Sequence, residues 1–171
     1  MTTIRPERPE DASGVRSVNE LAFGQPTEAD LVERLYRACS ASLSLVAEDD
    51  TVVGHILFTP VVVERAGRRV VGMGLAPMAV LPDRQRQGIG SALVRRGLEI
   101  LRGRGCPFVV VVGHPEYYPR FGFELASRHG LASQWEGVPD AAFMVAILDV
   151  TAMAGVSGVA RYRDEFDEGA N

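Results

Sequence analysis

Two stretches of the chain hold residue types whose spacing could do chemistry. In the first, Met78-Ala79-Val80-Leu81-Pro82 runs into Asp83-Arg84-Gln85-Arg86-Gln87-Gly88-Ile89-Gly90-Ser91 and then into an apolar periodic run. A polar, glycine-bearing turn between a strand end and a helix start leaves peptide N–H groups uncovered, and the helix dipole adds partial positive charge there. Arg84 and Arg86 add full charges, so the turn suits a diphosphate, whose oxygens need close donors that a Cβ would hold away. On glycine spacing alone, an ordinary strand-to-helix connection is an equally good reading. A P-loop is excluded, because Gly90 is followed by Ser91-Ala92 where a lysine and a hydroxyl are required. A dinucleotide fingerprint is excluded too, because Leu93 stands where it needs a third small residue.

The second stretch is His114-Pro115-Glu116-Tyr117-Tyr118-Pro119-Arg120-Phe121-Gly122-Phe123. With it in view, the chain is identified as a resemblance to the GNAT superfamily of N-acetyltransferases. The run Gln85-x-x-Gly88-x-Gly90, between Val80-Leu81-Pro82 and Ser91-Ala92-Leu93, resembles that family's acyl-CoA pyrophosphate loop. Tyr118, four residues before Gly122-Phe123, is similar in position to the tyrosine that many of these enzymes carry after the fifth strand. The fuller Pro-x-Tyr-Tyr-x-x-Phe-Gly-Phe string resembles one bacterial subgroup of predicted acetyltransferases. Together the signatures are far more specific than either alone, and the resemblance covers roughly Ile4 to Leu148.

The resemblance implies an α+β fold: a mixed, mostly antiparallel sheet flanked by helices, with a V-shaped opening between strands 4 and 5. It implies acetyl-CoA as cosubstrate, its pantetheine arm entering that opening as an added strand. Met78, Ala79 and Val80 would meet the arm, and Gln85, Arg86, Gln87, Gly88, Ile89, Gly90 and Ser91 the diphosphate. The acceptor would be an amine of a small molecule or peptide, and a homodimer is compatible with the family. Backbone N–H groups near Met78 and Val80 would stabilise the oxyanion, and Tyr118 would serve the departing thiolate. A phenol near 10 protonating a thiolate near 8.5 runs uphill by about 2 kcal/mol, so Tyr118 is better described as a hydrogen-bond donor to sulfur. Tyr117 is the neighbouring rival, and Pro119 departs from the commoner pattern, which leaves the phenol's direction open. Glu20, Glu28 and His114 are the candidate bases.

These groups must be positioned by a chain of 171 residues, 46% hydrophobic and 23% charged, which fits one domain with a sizeable core and residues 149–171 as an extension. A net charge of -4 argues against a general affinity for nucleic acid or an anionic membrane. The N-terminus lacks a signal peptide's apolar core and no run approaches the roughly 20 apolar residues that span a bilayer, so a cytoplasmic protein is expected. Cys39 and Cys106 are too far apart in sequence to suggest a zinc site or disulfide framework, and are read as small buried residues. His55, inside an apolar strand, is read as a packed residue or cleft wall; no metal site is expected.

Ile4-Arg5-Pro6 reads as a first strand, followed by a helix opened at Pro9 or Asp11 with Val15, Val18, Leu21 and Ala22 on its buried face. Phe23-Gly24-Gln25-Pro26 breaks it, and a second helix from Thr27 carries Leu31, Val32, Leu35 and Tyr36 at helical spacing. Leu43 to Thr59 reads as a hairpin around Asp49-Asp50, with a further turn at Ala66-Gly67. Gly72 to Leu81 is then a fourth strand in which Pro77 implies a bulge or an edge. Ile89, Leu93, Val94, Leu98 and Leu101 define a helix from Ile89 to Arg102, and the apolar Pro107 to Gly113 a central strand. Glu124 to Asp140 reads as a loop, Phe143 to Leu148 and Val156 to Tyr162 as strands, and Asp164 to Asn171 as a frayed acidic tail. Two other functions compete with catalysis: an acyl-CoA-binding sensor without turnover, and a partner-binding protein with no ligand.

Overall fold

The strands are β1 (Thr3–Pro6), β2 (Leu43–Asp49), β3 (Thr51–Arg65), β4 (Arg68–Val80), β5 (Phe108–Val112), β6 (Glu124–Leu125), β7 (Leu131–Ser133), β8 (Phe143–Ile147) and β9 (Gly158–Arg161). The helices are α1 (Ala12–Phe23), α2 (Thr27–Ala38), α3 (Ile89–Gly103) and the single turn α4 (Val150–Met153). This computed structural model describes residues 1–167; the part of the expected tail at 168–171 lies outside the described residues. The sheet is mixed and mostly antiparallel, flanked by helices, and the chain gathers into two compact units.

The first unit comprises residues 1–59, 76–97 and the chain from Asp164. Here β1 runs antiparallel to β2, pairing Ile4 with Ala47, and β2 antiparallel to β3, pairing Val46 with His55. Val15 of α1 and Val32 and Leu35 of α2 pack on Val46 and Leu57, and burial of these side chains holds the helix pair to the strands. The buried face of α1 is Val15, Val18 and Asn19, while Leu21, expected on it, is 57% exposed. From Val15 the helical repeat returns at positions 18, 19 and 22, so Leu21 falls off the stripe. The chain end is not frayed at Asp164–Phe166, which form a 3-10 turn whose Phe166 packs against the same cluster.

The seat of α3 is also in this unit. A Cβ on Gly54 of β3 would lie 3.1 Å from Ile89 Cγ2 and 3.2 Å from Leu93 Cδ1, and one on Gly97 only 2.4 Å from the Phe58 ring. Two glycines thus let the helix and β3 approach more closely than side chains would allow, and fix where the helix begins.

The second unit comprises residues 60–75 and 98–163. β5 is its central strand, antiparallel to β8 over five residue pairs and parallel to β4 over two, Met73 with Val109 and Gly74 with Val110. Pro77 lies beyond that short ladder, inside β4, after a cis Ala76–Pro77 bond. β6 adds to β8, while β9 pairs antiparallel with β3 and parallel with β7. The expected loop from Glu124 to Asp140 therefore contains two short strands, anchored where Tyr162 N–H donates to Gln134 Oε1 at 2.6 Å and the Trp135 ring packs at a tilt against the Tyr162 ring, 4.7 Å between centroids. Cys39 is buried and Cys106 partly so, both as free thiols.

Candidate active site

The turn between β4 and α3 is built by backbone bonds that leave its far side bare. Leu81 N–H donates to Val53 carbonyl at 2.9 Å, tying the end of β4 to β3, and Arg84 N–H donates to Leu81 carbonyl at 2.8 Å to close a 3-10 turn over Pro82–Arg84. Ala92 N–H donates to Gly88 carbonyl at 3.0 Å, so Gly88 is the first residue of the helix frame. The N–H groups of Ile89 and Gly90 in that first turn consequently have no acceptor within the helix, and the positive end of its dipole lies there. Two residues of the turn take the left-handed conformation, Arg86 with φ 63° and Gly88 with φ 85°. Nothing lies within 4 Å of a Cβ built on Gly88, so the approach to these amides is open.

The side chains divide into braces and contacts. Gln85 Nε2 donates to Val80 carbonyl at 3.1 Å and Gln87 Nε2 to Asp83 carbonyl at 3.3 Å, so both amides tie the turn to itself. Arg84, expected beside Arg86 as a second charge for an anion, is instead paired with Asp49 at 2.8 Å, and that guanidinium pulls the Asp49 carboxyl below its usual range. Its positive charge is therefore largely compensated, whereas Arg86, exposed in the turn, has no ion-pair partner among the described residues. Met78, Ala79 and Val80 end β4, with Ala79 buried and the flanking two partly exposed. All ten residues from this set, Met78 to Val80 and Gln85 to Ser91, fall in the first unit.

Tyr118 belongs to the second unit, at the start of a 3-10 turn over Tyr118–Phe121 that follows β5. Its ring is 7% exposed, edge-on to Tyr117, Phe121 and Phe123 at 5.1, 6.4 and 5.5 Å between centroids. Gly113 makes room for it: a Cβ there would sit 2.3 Å from Tyr118 Cε2. That dependence is invisible in the sequence, where Gly113 reads only as the end of a strand. Burial, with a smaller contribution from Tyr117, pushes the Tyr118 phenol up to about 12. Tyr117 is less buried and carries the Arg120 guanidinium over its ring at 4.6 Å. Of the candidate bases, Glu20 is paired with Arg16 at 2.6 Å and Glu28 accepts from Gln25 Nε2 at 2.9 Å, while His114 is exposed after β5.

His55, expected as a packed residue or cleft wall, is packed and lies in a buried polar chain of the first unit that no local sequence signal announces. The ring is fully buried between Asn19 Nδ2, 3.1 Å from Nδ1, and Ser44 Oγ, 2.9 Å from Nε2. Asn19 Nδ2 also donates to Val15 carbonyl at 2.9 Å, which identifies that atom as the amide nitrogen. Nδ1 must then accept, so Nε2 carries the proton and donates to Ser44, whose hydroxyl in turn donates to Glu7 Oε1 at 2.6 Å. Burial alone drives the His55 pKa down to about 3, in keeping with a neutral ring. Among the described residues no cluster of three or more His, Cys, Asp or Glu side chains could hold a metal ion, and no helix is long and apolar enough to cross a membrane.

Comparison with known proteins bears on the family of the whole chain. Residues 3–126 match the family described as acetyltransferase (GNAT) domain. The chain is 39% identical over 166 residues to the uncharacterized N-acetyltransferase YhbS of Escherichia coli strain K12, covering 96% of this chain and 98% of that protein. The crystal structure of E. coli YhbS in complex with CoA superposes with a TM-score of 0.90 over 97% of this chain and 92% of that one. A GNAT family acetyltransferase from Brucella melitensis, crystallised with acetyl-CoA, is 37% identical with a TM-score of 0.78, covering 98% of this chain and 99% of that one. The match to the family model over most of the chain, and likeness to these proteins along nearly its whole length, have one explanation: the chain belongs to the GNAT family of N-acetyltransferases.

Proposed function

We propose that the chain transfers the acetyl group of acetyl-CoA to the primary amine of a small molecule or peptide. The observation that carries this reading is the open helix start at Gly88 to Gly90, held in place by the seat of α3 on Gly54 and flanked by Arg86, which has no ion-pair partner among the described residues. The ligands of the two similar crystal structures, CoA and acetyl-CoA, support it. The donor set fits such a ligand: backbone N–H groups at a helix start for diphosphate oxygens, one guanidinium for net charge, and a glycine where a Cβ would intrude.

Acetyl-CoA supplies an acyl group activated as a thioester. Gln85, Arg86, Gln87, Gly88, Ile89, Gly90 and Ser91 form the diphosphate cradle, and the backbone of Met78, Ala79 and Val80 bonds the ligand's amides and carbonyl. Val80 contributes with a carbonyl already accepting one bond from Gln85, which leaves it one lone pair to offer. Tyr118 donates a hydrogen bond to sulfur. With its phenol pushed up to about 12, complete proton transfer to a thiolate near 8.5 runs uphill by roughly 5 kcal/mol, so the O–H holds the sulfur's charge without surrendering its proton. Among the described residues His114 is the base candidate whose side chain makes neither an ion pair nor a hydrogen bond, and it takes the amine's proton through water.

The test separates binding from turnover. Calorimetric titration with CoA should give the same affinity for wild type and Tyr118→Phe, while thiol release from acetyl-CoA with an amine panel falls about tenfold to a hundredfold. Unchanged turnover sinks the role of Tyr118; absence of CoA binding by the wild type sinks the reading as a whole.

A further inference from the structure

Between α1 and α2 lies a pocket of about 160 Å³ whose walls include Glu7, Val15, Arg16, Val32, Glu33 and Tyr36. None of the diphosphate-turn residues lines it. Glu7 is an unusual wall residue, because its side chain is only 6% exposed. It is brought there by β1: Pro6 pairs with Leu45, the next residue Glu7 donates its N–H to Ser44 carbonyl at 3.0 Å, and the Ser44 hydroxyl returns to Glu7 Oε1. The 2.6 Å length of that bond is in the range of a hydroxyl donating to an ionised carboxylate. Oε2 has no donor among the described residues.

A carboxylate removed from water with half its acceptors unused is costly, and a cation brought to the vacant oxygen offsets that cost. Burial raises the Glu7 pKa, the direction expected for such unmet demand. The pocket's other charges leave room for a cation. Arg16 is held by Glu20, Asp30 and Glu33 at 2.6, 2.9 and 3.0 Å, so its charge is more than compensated, and Arg37 stands at the exposed rim. Kinds of cation can be told apart. A divalent metal needs six or more oxygens, and a guanidinium wants both carboxylate oxygens in a fork, one of which Ser44 holds. An ammonium needs one strong acceptor and a place for its carbon chain, which Val15, Val32 and Tyr36 provide.

We propose that this pocket binds a small primary alkylammonium, its charge on Glu7 Oε2 and its chain against Val15, Val32 and Tyr36, with Asn19, His55 and Ser44 holding the carboxylate in position. The volume corresponds to about five waters, which limits the ligand to about half a dozen non-hydrogen atoms. The proposal does not depend on coenzyme binding, and its test uses the full chain without coenzyme.

The probe is n-butylammonium chloride, titrated into ¹⁵N-labelled protein with n-butanol as the uncharged control. Saturable shifts at the amides of Glu7, Val15 and Val32 in the millimolar range, absent with n-butanol, are expected. Glu7→Gln, which preserves shape and removes charge, should weaken binding about tenfold to a hundredfold. Tyr36→Ala alters a half-exposed wall and should weaken it without disturbing the fold. No saturable shift in the wild type, equal response to n-butanol, or undiminished binding by a folded Glu7→Gln protein would each overturn the proposal.

Discussion

Lowering the pH from 7 to 5 should destabilise the folded chain by about 2 kcal/mol through His55 alone. Burial holds the native ring's pKa down to about 3, so it stays neutral throughout this interval, whereas the unfolded chain's imidazole titrates near 6.5. The unfolded state therefore takes up a proton that the native state refuses. The contribution is whole above about pH 6.5 and is lost as pH falls toward 3, by up to about 1.4 kcal/mol per pH unit. Integrating from pH 7 to 5 gives the 2 kcal/mol. Glu7, 3.6 Å from the ring, works in the opposite sense: its pKa is raised, so its contribution is whole below about 4.3 and lost as pH rises through its folded value. Asp11 is held low by Arg5, so its contribution fades only below about pH 4, outside the interval. Urea unfolding at pH 7 and pH 5 should show that His55→Gln, although less stable at pH 7, loses about 2 kcal/mol less than wild type on acidification. Glu7→Gln should lose more than wild type. Equal losses for wild type and His55→Gln would refute the neutral, proton-refusing ring.

Two further substitutions test the site's backbone. Gly113→Ala places a methyl 2.3 Å from the Tyr118 ring and should cost about 1–3 kcal/mol of stability in thermal unfolding, with an altered tyrosine signal in the near-ultraviolet. Gly88→Ala meets no neighbour, only a φ of 85°, so it should cost about 1–2 kcal/mol of stability and, by covering the amides, weaken CoA by about tenfold or more in calorimetry.

What could be read from the sequence was what lies close along the chain. The strand, turn and helix from Met78 to Leu101 announce themselves through one proline, two glycines and an apolar stripe, all within a few residues of each other. Tyr118 with Gly122-Phe123 is equally local. The pairing of Arg84 is not legible locally, because its partner, Asp49, sits 35 residues earlier and is brought to it by the fold. The His55 chain draws one residue each from α1, β2, β3 and the segment after β1, so no window of sequence contains it. Its trace is an asparagine on an otherwise apolar helix face and a serine diagonally across the ladder from a buried histidine. Leu21 was placed by its hydrophobicity when helical phase alone decided its exposure.

The hydrogens along Asn19, His55 and Ser44 all point the same way, toward Glu7. Such a file has a polarity, and turning any one member around obliges the next to turn as well. A change at Asn19, at the end remote from the carboxylate, should thus be felt at Glu7 without any movement of the backbone, and paired substitutions along the file should depart from additivity. Helix α1 is thereby linked, through two strand residues, to the pocket wall that it shares with α2, by four side chains and no more than one proton's worth of order.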